Sequence, residues 1–184
     1  MSPDDGGVSQ VRLSGILLIV IAALFLTPTA KAAGVGQRAP DFTGGGPWFN
    51  TGGKALTLAD LKGKVVAVEM WTAGCYNCRN VIPSLRQWDA RYRDKGLMIV
   101  GVHSPEFSHE HSEQYVRDSV AKLGIRYAVV MDNGFKIWKA YNNIYWPTIY
   151  IVDKKGVVRY SHIGEGEYAE TENMIKQLLA EGVS

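Results

Sequence analysis

The chain has 184 residues, 46% of them hydrophobic and 21% charged, with 20 Lys+Arg against 18 Asp+Glu for a net charge of +2. This apolar content supports a packed core and argues against disordered, collagen-like and multi-disulfide scaffolds. The charge is small and not concentrated anywhere, so nothing supports a nucleic-acid partner, and the two cysteines cannot build a disulfide framework.

Leu13 to Leu26 is an uncharged run of 14 residues, with Arg12 before it and the small-x-small sequence Ala30-Lys31-Ala32 after it. A bilayer-spanning helix needs ~20 apolar residues, so the run predicts a secretory signal over residues 1–32, cleaved after Ala32. An uncleaved N-terminal membrane anchor is the alternative. Either way residues 33–184 form one domain facing an extracytoplasmic compartment, periplasmic or secreted.

From Ala33 to Lys54 the chain is rich in Gly, with Pro40 and Pro47. It predicts an irregular lead-in pinned by Phe42 and Trp48. Leu56 to Leu61 reads as a short strand or bridge running into a helical turn. Val65 to Met70 is an apolar, β-branched run and predicts a buried strand. Val81, Ile82, Leu85, Trp88 and Tyr92 then line one face of a helix from Cys75 to Tyr92. A second strand follows at Leu97–Val102, then an amphipathic helix at Ser112–Leu123 closed by Gly124. Tyr127–Met131 is a third strand and Gly134–Tyr141 a short helix. Ile149–Val152 and Val157–His162 flank Asp153-Lys154-Lys155-Gly156 as a hairpin, and Tyr168–Leu179 is the last helix. The order predicts an α/β fold whose mixed sheet combines parallel crossovers with a terminal hairpin.

Cys75-Tyr76-Asn77-Cys78 lies where the first buried strand gives way to a helix. The free N–H groups and positive end of a helix N-terminus favour a thiolate there. The i, i+3 spacing brings both sulfurs to one side of the first turn, close enough for a disulfide. That arrangement suits thiol–disulfide exchange through a mixed disulfide. A structural disulfide across so short a loop removes little unfolded-state entropy. A zinc site normally needs four ligands, and the remaining soft candidates, His103, His109, His111 and His162, do not stand at finger spacing. Covalent haem needs His after the second cysteine, where this chain has Arg79.

Trp71 before Cys75, Pro83 after Cys78 and Trp146-Pro147-Thr148 before an apolar strand resemble the thioredoxin superfamily. Ala39-Pro40-Asp41-Phe42, Gly101 to Phe107, Tyr145-Trp146-Pro147 and Gly164 to Glu172 are similar to its exported TlpA/DipZ-like redoxin branch. The resemblance covers roughly Gly36 to Leu179. It implies a thioredoxin fold, a central mixed sheet flanked by helices, with a strand–helix insertion supplied by Ser104 to Asn133.

The resemblance further implies that Cys75 is the nucleophile and Cys78 the resolving thiol. It implies a cis Pro147 facing the pair, and a buried Glu69 that moves the resolving cysteine's proton. A desolvated carboxyl titrates high enough for that task. Trp71, Tyr76 and Trp146 read either as an apolar rim for substrate or as plain core. His103, Glu106, His109 and His111 read as solvated loop residues, with a metal or partner role as the alternative. The implied activity is thiol–disulfide oxidoreduction, as a reductant of client proteins carrying disulfides. A membrane or soluble thiol would resupply electrons; no cofactor, no resident metal and a monomer are expected. Two other activities stay open. Thr72-Ala73-Gly74-Cys75 carries the Thr-x-x-Cys of peroxiredoxins, although Val68 stands where those enzymes have a Pro. A copper or zinc role for the Cys pair is the other, against which the longer cysteine spacing of copper-delivering relatives counts.

Overall fold

The structure, a computed structural model, describes residues 34–182; the expected leader over 1–32 lies outside the described residues. A six-stranded sheet runs in the order β1-β4-β3-β2-β5-β6. Its strands are β1 (Trp48–Phe49), β2 (Val65–Trp71), β3 (Leu97–His103), β4 (Ala128–Met131), β5 (Thr148–Val152) and β6 (Val158–Ile163). β2, β3 and β4 are parallel, while β5 pairs antiparallel with both β2 and β6, and β1 antiparallel with β4. The helices are α1 (Tyr76–Tyr92), α2 (Glu113–Lys122), α3 (Lys136–Ala140) and α4 (Tyr168–Ala180). This is the mixed α/β sheet that the order of elements predicts, in the thioredoxin-like arrangement that the family resemblance implies.

β2 is buried along its whole length, which explains why its seven residues read as continuous apolar sequence rather than alternation. Its side chains nevertheless divide by the two-residue period of a strand. Val65, Ala67 and Trp71 enter one core with Cys78, Val81, Leu85 and Trp88 of α1, Val116 of α2 and Ile175 of α4. Val66, Val68 and Met70 enter the other with Phe42, Leu61, and Ile137 and Trp138 of α3. Helix α1 with its short 3-10 extension ends at Gly96, whose φ of 101° is a left-handed conformation that a side chain would strain.

Two expectations need correction. Leu56–Leu61 forms turns and no strand, because Asp60 turns back to accept from the Thr57 amide and hydroxyl. The Gly-rich lead-in is pinned by Phe42 and Trp48, whose rings meet edge-on at 5.7 Å, yet it also contributes the edge strand β1. Two residues are too few for periodicity to reveal, and only the pairing of Trp48 with Val130 and Phe49 with Val129 defines that strand. Among the described residues no helix is long and apolar enough to cross a membrane.

Candidate active site

The parallel strand β2 ends at Trp71, and Thr72 to Gly74 turn the chain into α1. Cys75 is the N-cap of that helix, with an extended backbone (φ −70°, ψ 120°), and its Sγ accepts the Cys78 N–H at 3.1 Å. The sulfur thus occupies the place that a Ser or Asp oxygen fills in an ordinary cap. The first turn of α1 contains no acidic residue, so the positive end of the helix acts on this sulfur without an opposing charge from its own turn. Cys75 and Cys78 are joined in a disulfide, with Cα atoms 5.3 Å apart. Cys75 is half-buried, whereas Cys78 is sealed beneath it with 0% exposure.

Glu69 shares the β2 face that carries Val65, Ala67 and Trp71, so it points into the same layer as Cys78. It is fully buried, and its neighbours across the sheet are Gly101 and Ile149. The Tyr127 hydroxyl donates to Oε2 at 3.2 Å, and Oε1 has no hydrogen-bond partner among the described residues. Burial pushes this carboxyl up to about 8, with the Tyr127 hydrogen bond pulling the other way. It therefore exchanges its proton near neutrality.

Thr148 pairs with Met70, which brings Pro147 to the end of the sheet where β2 delivers Cys75. The Trp146–Pro147 peptide bond is cis, and the Pro147 carbonyl accepts the Gly164 N–H at 2.8 Å. Trp146 is half-buried: its Nε1 donates to the Ser104 carbonyl at 3.1 Å and its ring lies 4.4 Å from that of Trp138. Tyr76, 69% exposed, projects from the first turn of α1 as a rim residue would.

Trp71 does not belong to that rim. It is fully buried, its ring meeting His103 edge-on at 5.1 Å, because the two-residue period of β2 turns it into the core beneath α1. Exposed apolar surface comes instead from Phe107, Ile144 and Tyr145. A side chain at Gly74 would meet the Phe107 ring at 3.2 Å, so Phe107 lies against the turn that carries Cys75.

The segment from His103 to Glu110 also differs from expectation. Glu106, His109 and His111 are exposed, as loop residues are, and His109 stacks on Phe107. His103 is not a loop residue: it ends β3, has 0% exposure, and its Nε2 accepts the Ala73 N–H at 3.2 Å. Nε2 as acceptor places the ring proton on Nδ1. Burial pushes His103 down to about 4, against the opposite pull of the Glu110 charge. Among the described residues no three His, Cys, Asp or Glu side chains gather as a metal site.

Glu110 is a site residue that sequence reasoning missed. It is fully buried, and Oε1 accepts the Gly74 N–H at 2.5 Å while Oε2 accepts those of Glu106 at 2.8 Å and Phe107 at 3.0 Å. Burial pushes its carboxyl up, but bonds from Thr72 and from the amides of Phe107, Gly74 and Glu106 outweigh that and hold it below its ordinary value. The signal available in sequence was slight: an acid at the third position of a short turn, where it can satisfy that turn's own amides.

Comparison with known proteins agrees with this geometry. Residues 35–161 match the AhpC/TSA family. The chain is 42% identical over 142 residues to Protein DipZ of Mycobacterium bovis; this covers 77% of the chain but spans only 20% of that longer protein. It is 29% identical over 144 residues to Thiol-disulfide oxidoreductase ResA of Bacillus thuringiensis, covering 78% of each. A crystal structure of a thiol:disulfide interchange protein from Chlorobium tepidum superposes with a TM-score of 0.65 at 26% identity, covering 81% of this chain and 100% of that one. The chain therefore belongs to the AhpC/TSA family, with a thioredoxin-like fold that carries the Cys75–Cys78 disulfide at the start of α1.

Proposed function

We propose that the protein is an exported reductant that returns disulfides in client proteins to thiols. The observation that carries this reading is the asymmetry of the pair: Cys75 is half-exposed at a helix N-cap, and Cys78 is sealed one turn behind it with Glu69 in the same layer.

In the dithiol state the Cys75 thiolate attacks one sulfur of a client disulfide. The client S–S bond breaks, one client thiolate leaves, and a Cys75–client mixed disulfide forms. Cys78 then gives its proton to the ionised Glu69 carboxylate and attacks Cys75 Sγ. The second client thiolate leaves, and Cys75–Cys78 closes as the disulfide. The client gains two electrons and the protein loses two, so an external dithiol, membrane-borne or soluble, must reduce the pair for the next turnover.

Exposed Tyr76, Phe107 and Tyr145 provide apolar contact for an extended client segment near Cys75. Catalytic roles for Glu69 and Pro147, and substrate contact by Tyr76 and Trp146, are parts of this proposal. Export rests on the uncharged run Leu13–Leu26 and on Ala30-Lys31-Ala32.

A second reading, thiol peroxidase, draws on the family match and on Thr72-x-x-Cys75. Against it, Thr72 is buried with its hydroxyl 3.4 Å from His103 Nε2, and Val68 lies in the opposite core. Parallel assays decide between the two. The oxidoreductase reading expects rapid reduction of a protein disulfide such as insulin with dithiothreitol as donor, and slow hydroperoxide consumption. The reverse ranking overturns it.

A further inference from the structure

Two side chains from one segment hold the turn ahead of Cys75. His103 Nε2 takes the Ala73 N–H and Glu110 Oε1 takes the Gly74 N–H, at 3.2 and 2.5 Å. These are the two amides that immediately precede the attacking cysteine, and neither remains available to stabilise a thiolate. Glu110 closes the clamp from its other end by accepting the amides of Glu106 and Phe107. Three N–H donors on one buried carboxylate keep it ionised and fix its place.

The glycine at 74 has its explanation here. A Cβ at that position would meet Glu110 Oε1 at 2.9 Å and the Phe107 ring at 3.2 Å. Gly74 has no positive φ, so close approach of the carboxylate, and not backbone conformation, is what calls for glycine.

The electrostatic consequence follows from the other charges. His103 is pushed down to about 4 and is neutral at physiological pH, and Glu69 is held mostly protonated below about 8. Glu106 and His111 are exposed, where solvent screens them, as is Arg79 in the first turn of α1. Glu110 is thus a buried, ionised group hydrogen-bonded to the residue adjoining Cys75, and like charges held close and partly desolvated oppose each other. A Cys75 thiolate forms against that field, while a disulfide carries no charge and does not feel it.

We propose that Glu110 is a positioning residue of the exchange reaction: its carboxylate clamps the turn ahead of Cys75 and disfavours the Cys75 thiolate, biasing the pair toward the disulfide. This rests on the reading of Cys75–Cys78 as a reductant couple and supplies its direction, because a pair that prefers the disulfide donates electrons readily.

The test equilibrates the full chain, Glu110→Gln and Glu110→Asp in glutathione buffers and titrates Cys75 by its ultraviolet thiolate absorbance. Glu110→Gln keeps the size but removes the charge and turns a donor toward one of the three amides. We expect its Cys75 pKa to fall by about one unit, with the equilibrium shifting toward the dithiol by up to about tenfold, equivalent to about 30 mV, in buffers alkaline enough to ionise Cys75. Glu110→Asp keeps the charge and should stay within about twofold of the wild type. A Glu110→Gln protein with wild-type thiolate titration and equilibrium overturns the proposal, even if its melting temperature drops. If Glu110→Gln does not fold, Gly74→Ala tests the same contact by pushing the turn off the carboxylate. It should shift the equilibrium in the same direction, and no shift overturns the proposal. A wild-type pair found more oxidising than glutathione would defeat the reductant reading, whereas the Glu110 assignment stands or falls on the difference between variant and wild type.

Discussion

Glu69 and Tyr127 meet in the sealed layer beneath α1, with the tyrosine hydroxyl donating to one carboxylate oxygen at 3.2 Å and no hydrogen-bond partner among the described residues for the other. A carboxyl so placed is disposed to hold a proton, and in the proposed mechanism it is the base that takes the proton of Cys78.

Resolution of the mixed disulfide should therefore accelerate as pH rises through about 8, where Glu69 ionises. Glu69→Gln should slow that step by about a hundredfold and remove the inflection. Stability should move the other way. The folded value lies above the ordinary 4.5, so the native state binds more protons than the unfolded one between 4.5 and about 8. The stability that Glu69 contributes is full below 4.5 and is lost as pH rises through about 8. Stopped-flow reduction of a model disulfide and chemical denaturation across this range check both effects; an unaltered pH profile in Glu69→Gln removes the carboxylate from the mechanism.

The cysteines should behave unequally. Cys78→Ala leaves a half-exposed nucleophile with nothing to resolve it, and should accumulate a covalent client adduct. Cys75→Ala leaves a thiol with 0% exposure and should trap little. Non-reducing electrophoresis after incubation with an oxidised client separates the two, and equal trapping by both contradicts the assignment.

His103 should make the fold acid-sensitive. Its folded value of about 4 lies below the ordinary 6.5, so the unfolded chain binds more protons between those limits. Stability is retained above 6.5 and lost as pH falls toward about 4, by about 3 kcal/mol at most. His103→Gln keeps an acceptor within reach of the Ala73 amide and should flatten this dependence in thermal melts. A variant that melts with the same acid profile as the wild type rules out His103 as its source.

Gly101 gives space to the Trp71 indole: a Cβ there would meet Nε1 at 2.9 Å and the Tyr127 ring at 3.3 Å. Both rings are buried and cannot retreat, so Gly101→Ala should destabilise the protein by roughly 1–3 kcal/mol. Denaturant titration measures this. A neutral result would show that the core repacks around the added methyl.

Export should be visible at the N-terminus of protein recovered from producing cells. Cleavage after Ala32 leaves Ala33 first, whereas a retained Met1 in the membrane fraction indicates the anchor. A soluble cytoplasmic form contradicts both.

Much of this was legible in the residues themselves, because it depends on neighbours in the chain. The apolar run Val65–Met70, the 3.6-residue spacing from Val81 to Tyr92 and the turn Asp153–Gly156 each define an element by local pattern. Cys75 and Cys78 announce their chemistry through spacing and position at a strand-to-helix junction. What required tertiary structure is whatever depends on which face a side chain takes or on a partner distant in sequence. Trp71 and Glu69 sit in a strand apolar on both sides, so alternation could not orient them; packing beneath α1 did. The edge strand at Trp48–Phe49 exists only because β4 offers it hydrogen bonds, 82 residues away at Val130. Glu110 reads in sequence as one more acid in a polar loop. Its place against Gly74 arises from contact across 36 residues, and only there do the amides of Gly74, Glu106 and Phe107 converge on one buried carboxylate and hold it ionised.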